Sequence, residues 1–358
     1  MATLKIASFN VENLFRRAKL LNLEDRAETT RLLKLVDQLQ AVLKKPAYTA
    51  ADKAKIVKLC ADLKGYATVQ VDRGKLFSGQ GTSTVVATGK GDWDGEISFN
   101  QEKVADGART STAAVMKAVK ADVCCVVEAE SRPVLKSFNS EMLSGAARFD
   151  YPFLIDGNDQ RGIDVGVLSK LPIGPVHTHL FEKSGRSALF SRDCLHVELG
   201  LPDGRTLHLL CNHLKSKMNN DAASDARRTL QADRIAAILD ETFDLRTDLV
   251  VVAGDLNDTP DSAPLRKLLG KTHLHDALQL QFGPDMAKRW TYKYRNQLNQ
   301  IDYLLLSTPL KEAFVQAGVE RRGIWGVDGV TGEQPFPSVT SYSNHASDHA
   351  AVWVEVEL

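Results

Sequence analysis

The chain has 358 residues, 43% of them apolar and 25% charged, which are ordinary proportions for a globular protein. No run approaches the roughly 18 apolar residues that a membrane-crossing helix needs, so no membrane partner is expected. Forty-five Lys and Arg balance 45 Asp and Glu, and any attraction for a polyanion must therefore be local.

In chain order the first element is "LKIASFNV", residues 4–11, a predicted strand. Beginning so near the start, it leaves no room for a signal peptide, and the expected location is the cytoplasm. Five cysteines, Cys60, Cys124, Cys125, Cys194 and Cys211, show no CxxC spacing and sit mostly in apolar runs. They are expected to be reduced core residues.

Residues 16–110 interrupt the strand-helix rhythm. A helix is predicted near 27–45, where Leu32, Leu35, Val36, Leu39, Val42 and Leu43 recur at helical spacing. Another starts at Thr49, with Asp52 three residues on completing a capping-box pattern. Gly-punctuated strand-like pieces follow: "ATVQVD", "TSTVVATG" and "GEISF". This segment is read as an inserted α+β lobe within one domain spanning 1–358. Its 17 Lys and Arg against 12 Asp and Glu make either a substrate-facing surface or a solvated helical face.

Predicted strands then recur at 122–130, 151–156, 163–170, 193–201, 205–214, 248–257, 301–307 and 350–358. Between them, Ser131 and Pro133 announce one helix, and Ser224 precedes a longer one reaching about Thr242. Pro202-Asp203-Gly204 signals a tight hairpin, so the sheet is partly antiparallel. Residues 248–254 are apolar on both faces and must be covered twice, whereas 193–201 alternates like a strand with one face more open. The fold class that fits is α/β, a four-layer sandwich of two packed mixed β-sheets flanked by helices.

Carboxylates end or begin these strands. Asp255 of "GDLND" and Glu128 of "CCVVEAE" terminate buried runs, while Asp302 opens "IDYLLLS" and Asp348-His349 opens the last strand. In an antiparallel arrangement one strand's end lies beside its neighbour's start, so these acids can meet with Asn10 and His213 at one edge. Such a cluster repels itself and desolvates at a cost unless a cation neutralises it. Oxygen and amide donors with few thiols point to Mg²⁺, with Mn²⁺ as the alternative, over zinc.

The motifs "SFNVENLF", "VVEAE", "RGIDVGVLSK", "NHLKSK", "VAGDLND", "NQIDYLLLS" and "SDHAAV", in that order, resemble the endonuclease/exonuclease/phosphatase superfamily, the DNase I-like group. The resemblance covers about 1–15 and 110–358. "FNVENLF" with "NHLKSK" looks most like bacterial extracellular-type nucleases; the tryptophan-containing first motif and "QETK" of abasic-site endonucleases are missing, which speaks against base-excision repair.

The resemblance implies Glu128 as the principal metal ligand, with Asn10, Glu12 and Asp348 near the ion. It implies that Asp255 and Asn257 orient the attacking water and a phosphate oxygen, that Asp302 fixes the His349 tautomer, that His213 meets the phosphate or leaving oxygen, and that Arg161 binds the phosphate. Glu12 stands where the family usually has Asp, a longer arm.

Two stretches bear on substrate. "RWTYKYRNQ" interleaves Trp290, Tyr292 and Tyr294 with Lys293 and Arg295, either a base-stacking and phosphate-holding surface or a strand with core aromatics. Lys215 and Lys217, after His213, either line the same cleft or lie in a solvated loop. The first functional expectation is a Mg²⁺-dependent phosphodiesterase acting on nucleic acid, DNA or RNA. The second is a phosphatase or phospholipase of the same superfamily, acting on inositol phosphates or sphingolipids. A binding module with a degenerate site is the third and weakest, since every expected acid and histidine is present.

Overall fold

The fold is known from a computed structural model, which describes residues 3–14, 20, 26–79, 81–100, 106–159, 162–217, 222–294 and 297–358. The chain divides into two compact units, Met1–Phe15 with Val104–Leu358, and Arg16–Lys103.

The larger unit contains two six-stranded sheets. The strands of these two sheets are β1 (Thr3–Leu14), β2 (Val123–Ala129), β3 (Tyr151–Ile155), β4 (Asp164–Ser169), β5 (Ile173–His177), β6 (Cys194–Gly200), β7 (Thr206–His213), β8 (Leu249–Asp255), β9 (Leu274–Asp276), β10 (Asp302–Ser307), β11 (Phe314–Glu320) and β12 (Ala351–Glu357). The first sheet runs β11-β12-β1-β2-β4-β3 and the second β9-β10-β8-β7-β6-β5. Each is mixed for the same reason: β1 and β2 are parallel, as are β7 and β8, and the other pairs are antiparallel.

The period of two in each strand builds three apolar layers. Ile6, Val123, Cys125 and Val127 of the first sheet meet Val197, Leu209, Val251 and Leu304 of the second between the sheets. On the outer face of the first sheet, Phe9, Cys124 and Val126 pack with Ala113, Val115 and Met116 of helix α1 (Asp106–Val119) and with Leu135 and Phe138 of helix α2 (Arg132–Met142). Outside the second sheet, Leu210, Val250, Val252 and Leu305 pack with Ala232, Ile235 and Leu239 of helix α3 (Ala222–Thr242). The run at 249–255 is buried at every position because both faces are covered. The four cysteines of this unit, and Cys60 of the other, are buried and free.

Four elements differ from the sequence reading. The inserted unit ends at Lys103, not 110, because the chain from Asp106 onward is α1, whose apolar face belongs to the first sheet's outer layer. Edge strands β5 and β11 carry mixed burial without clean alternation, so their pattern gives little strand signal. Ser224 lies inside α3, which begins at Ala222.

The smaller unit has its own core, in which Leu32 and Leu39 of the helix Arg26–Leu43 pack with Ile56 of the helix Ala50–Asp62. Thr49 caps the second helix reciprocally with Asp52, as the spacing predicts. Strands Ala67–Gly74 and Trp93–Phe99 complete it as an antiparallel pair.

One glycine decides how closely the two central strands of the second sheet approach. Gly254 sits at φ +130, and a Cβ there would come within 1.9 Å of the Asn212 carbonyl oxygen on β7. Gly254→Ala is expected to cost more than about 2 kcal/mol of stability, read as a lower urea midpoint. An unchanged midpoint would show that the strands can part freely.

Candidate active site

The two parallel pairs place the site. Because β1 and β2 run together, Asn10 and Glu128 reach the same end of the first sheet; because β7 and β8 do, His213 pairs in register with Asp255 in the second. Antiparallel β10 begins there with Asp302 opposite Asp255, and β12 is preceded by Asp348 and His349.

Backbone distortion aims the acids. Glu12, Glu128 and Asn257 have φ of +36, +68 and +55, a left-handed conformation that costs non-glycine residues energy. Glu128 occupies the register shift between Val127 and Ala129, and Glu12 the one between Asn10 and Leu14. A bulge re-aims a side chain, and strain of this kind collects at functional sites.

The side chains converge closely. Asn10 Nδ2 donates to Glu128 Oε1 at 3.3 Å and to Asp255 Oδ2 at 3.3 Å, while its Oδ1 accepts from the Glu12 amide at 3.1 Å. Asn257 clamps Asp255, its amide donating to Oδ1 at 2.8 Å and its Nδ2 to Oδ2 at 3.0 Å. His213 Nε2 lies 3.6 Å from Asp255 and 3.7 Å from Glu128. His349 Nδ1 meets Asp302 Oδ2 at 2.9 Å, and its Nε2 lies 4.0 Å from Asp255 and 3.7 Å from Asp348. Glu12 Oε2 accepts from the Asp348 amide at 2.9 Å and lies 3.3 Å from His345 Nε2.

Charge is held here against desolvation. Burial pushes Asp255 up to about 7, with Asp302 and Glu128 adding to the rise and His349 opposing it. Burial likewise pushes Asp348 up to about 6 and raises Glu128. His349 moves the other way: burial works against its imidazolium, but Asp302 and Asp255 outweigh burial and hold it well above the ordinary range. For Glu12 burial is outweighed by the His345 contact and the Asp348 amide, and its carboxyl falls below its usual value.

Two groupings could hold a cation. Glu128, Glu12, Asp348 and the Asn10 amide offer oxygen donors only, a set that suits Mg²⁺ or Mn²⁺, and the upward shifts of Glu128 and Asp348 are those of carboxylates short of a counter-charge. Of the two groupings, the one whose ligand atoms all lie within 4.8 Å of one another is Asp255, Asp302 and His349. In that trio the imidazolium of His349 already supplies the positive charge, which disfavours a metal.

These groups open onto a cavity of about 810 Å³, whose wall includes Tyr292, Gln297, Asn299, Lys217 and Thr259. The Tyr292 ring lies 4.8 Å from the His349 ring. Of the sequence-predicted residues, Asn10, Glu12, Glu128, His213, Asp255, Asn257, Asp302, Asp348 and His349 meet here, with Tyr292 and Lys217 on the wall.

Others do not. Trp290 is corrected: it is fully buried among Ile324, Val327 and Ala350 with the Arg321 guanidinium 4.6 Å from its ring, and no base can stack on it. Lys215 does not line the cavity; its backbone is fastened to α3 through Gln231 and Arg228. Lys217 pairs with Asp258. Arg161 and Arg295 lie outside the described residues. The second acid of "GDLND", Asp258, is structural, accepting from buried Arg228 at 2.8 Å.

Arg192, Thr291 and His345, like Gln297 and Asn299 of the cavity wall, escaped the sequence reading. Buried Arg192 lines the cavity and lies 3.2 Å from Asp159. Thr291 donates to Asp302 Oδ2 at 2.7 Å, and His345 supports Glu12. Thr291 lies within "RWTYKYRNQ" between the two aromatics singled out there, His345 stands three residues before Asp348, and Arg192 lies outside the quoted motifs.

The model of the Endonuclease/Exonuclease/phosphatase family matches residues 97–349. The chain belongs to this family. Its members are hydrolases acting on phosphoesters. Among curated proteins none matches the sequence. Similar solved structures include truncated TDP2 of Caenorhabditis elegans, 18% identical with a TM-score of 0.50 over 70% of this chain and 90% of that one. SmcL is similar at 17% identity and a TM-score of 0.50, over 71% and 92%. At such identities the likeness is one of fold.

The shift at Asp255 carries a sign. Its folded value of about 7 lies above the ordinary value near 3.9, so ionising it costs stability that is lost progressively as pH rises between the two. In metal-free protein, Asp255→Asn should therefore raise the melting temperature relative to the parent at pH 8, with much less gain at pH 4. Equal gains at both pH values would mean that Asp255 ionises without penalty.

Proposed function

We propose that the protein is a divalent-metal-dependent phosphodiesterase that cleaves nucleic acid. The observation that carries this reading is Asp255, a carboxylate pushed up to about 7 and clamped through both oxygens by Asn257, standing 4.0 Å from a cationic His349 at the floor of an open polar cavity. An acid poised near neutrality can accept the proton of an attacking water at working pH.

Each neighbour then has a task set by its own contacts. Asn257 fixes the plane of the Asp255 carboxylate. His349, oriented by Asp302 through Nδ1, presents Nε2 to a phosphate oxygen and offsets the charge that gathers there. Thr291 holds Asp302 in turn. His213, between Glu128 and Asp255, is placed to meet the leaving oxygen. Glu128, with Asn10, Glu12 and Asp348 beside it, would hold the divalent cation, which when bound neutralises phosphate charge. On the cavity wall Tyr292 offers a ring for a base or sugar, and Gln297 and Asn299 offer amides. That wall favours a nucleotide over a lipid chain.

Two measurements test the reading. Duplex DNA, single-stranded DNA, RNA, a phosphoinositide and sphingomyelin vesicles, each with Mg²⁺ and with EDTA, should give Mg²⁺-dependent cleavage of a nucleic acid and little turnover of the lipids; turnover confined to sphingomyelin or phosphoinositide would assign the second family activity. If Asp302 acts only through His349, the double variant Asp302→Ala/His349→Ala should lose about as much kcat as His349→Ala alone. Losses that multiply would separate the two residues.

A further inference from the structure

A second convergence of metal-binding side chains lies away from the carboxylate edge, on the outer face of the second sheet. The inner face of β6 and β7 is apolar, with Val197, Leu199, Leu207 and Leu209 in the inter-sheet core, so the alternate positions His196, Glu198 and His208 share the opposite face. Register brings them together: Glu198 pairs with His208, and His196 with His177 of edge strand β5. His196 Nε2 lies 3.1 Å from His208 Nδ1, and His177 Nε2 lies 3.3 Å from Glu198 Oε1. One ligand atom from each of His196, Glu198 and His208 falls within 4.8 Å of the other two.

We propose that His196, Glu198 and His208 form a second cation site, independent of the carboxylate edge, that takes a borderline transition metal such as Zn²⁺. Two imidazoles and one carboxylate match the preferences of Zn²⁺, Ni²⁺ or Co²⁺ and not those of Mg²⁺, which wants oxygen alone. The spacing fits as well. With Zn–N near 2.0–2.1 Å, neighbouring ligands of a tetrahedral ion stand roughly 3.3 Å apart. The His196 and His208 nitrogens stand 3.1 Å apart, sharing a hydrogen bond, and an ion bound between them would displace that bridging proton as both lone pairs turn toward it.

The site is also held rigidly and left accessible. His196 is buried, its ring stacked on His177 at 4.8 Å, and Phe243 packs against both the His196 and His208 rings at 5.3 and 5.0 Å. Glu198 and His208 are half-buried and His177 is exposed, which leaves an entry path. A metal here would fasten β6 to β7, and His177 stands over it as a further donor from edge strand β5.

The test is Zn²⁺ binding to the full chain in excess Mg²⁺, which occupies the oxygen-rich edge. Retained zinc is measured after dialysis and affinity by competition with a chromogenic chelator, with Co²⁺ absorption as a second readout. Wild type and Glu128→Ala should each bind one Zn²⁺ tightly. Glu198→Gln, an isosteric change at a half-buried position that keeps the fold, and His208→Gln should weaken it by more than the ~10–100-fold that losing an outer partner costs. Zn²⁺ affinity unchanged in both variants, loss of zinc in Glu128→Ala alone, or no zinc retained by wild type would overturn the proposal.

Discussion

Everything at the functional end of this molecule follows from placing Glu12, Glu128, Asp255, Asp302 and Asp348 together at the end of an apolar double sheet. Each is taken out of water, and most lie close enough to repel one another. Part of that cost is offset by the His349 imidazolium, by His345 beside Glu12, by the Thr291 hydroxyl on Asp302, and by the amides of Asn10 and Asn257. In the proposed reading a divalent cation would offset the balance left over. Stability and chemistry are in tension at this edge, as expected where charge is stored for use.

The scaffold is shaped to allow the crowding. A parallel pair in each sheet brings two polar strand ends side by side, and antiparallel neighbours add two polar strand starts. Bulges at Glu12 and Glu128 turn their side chains out of the sheet's alternation, and Gly254 lets β7 and β8 close up just before Asp255. The same two-sheet body supports TDP2 and SmcL, so fold alone leaves the substrate open. Tyr292, Gln297 and Asn299 line the cavity beside the clustered acids, and the proposed preference for a nucleotide rests on them.

Much of this could be read from sequence because the signals are local. Apolar runs such as "LVVVAGD" name their strands, Pro202-Asp203-Gly204 names its hairpin, and acids at strand ends name the edge where they meet. What could not be read depends on the third dimension. Trp290 closes the helix Met286–Arg289 and Tyr292 opens the strand Tyr292–Tyr294; one faces the core and the other the cavity, and composition does not say which. Arg192, Thr291 and His345 matter through partners 33, 11 and 333 positions away: Asp159, Asp302 and Glu12. The left-handed backbone at Glu12, Glu128 and Asn257 leaves no mark on residue type. Ending the inserted lobe at 110 takes in the first residues of the helix from Asp106, whose apolar face belongs to the larger unit's core, and only packing shows this.

In the proposed function the Glu128 side of the edge holds the divalent ion, and the Asp255–Asp302–His349 side does not. Anomalous scattering from Mn²⁺ in crystals of the full chain tests this most directly. A peak within ligand distance of Glu128 and of at least one of Asn10, Glu12 or Asp348, with the His349 to Asp302 contact intact, is the predicted result. A peak between Asp255, Asp302 and His349, with that contact broken, would contradict the account.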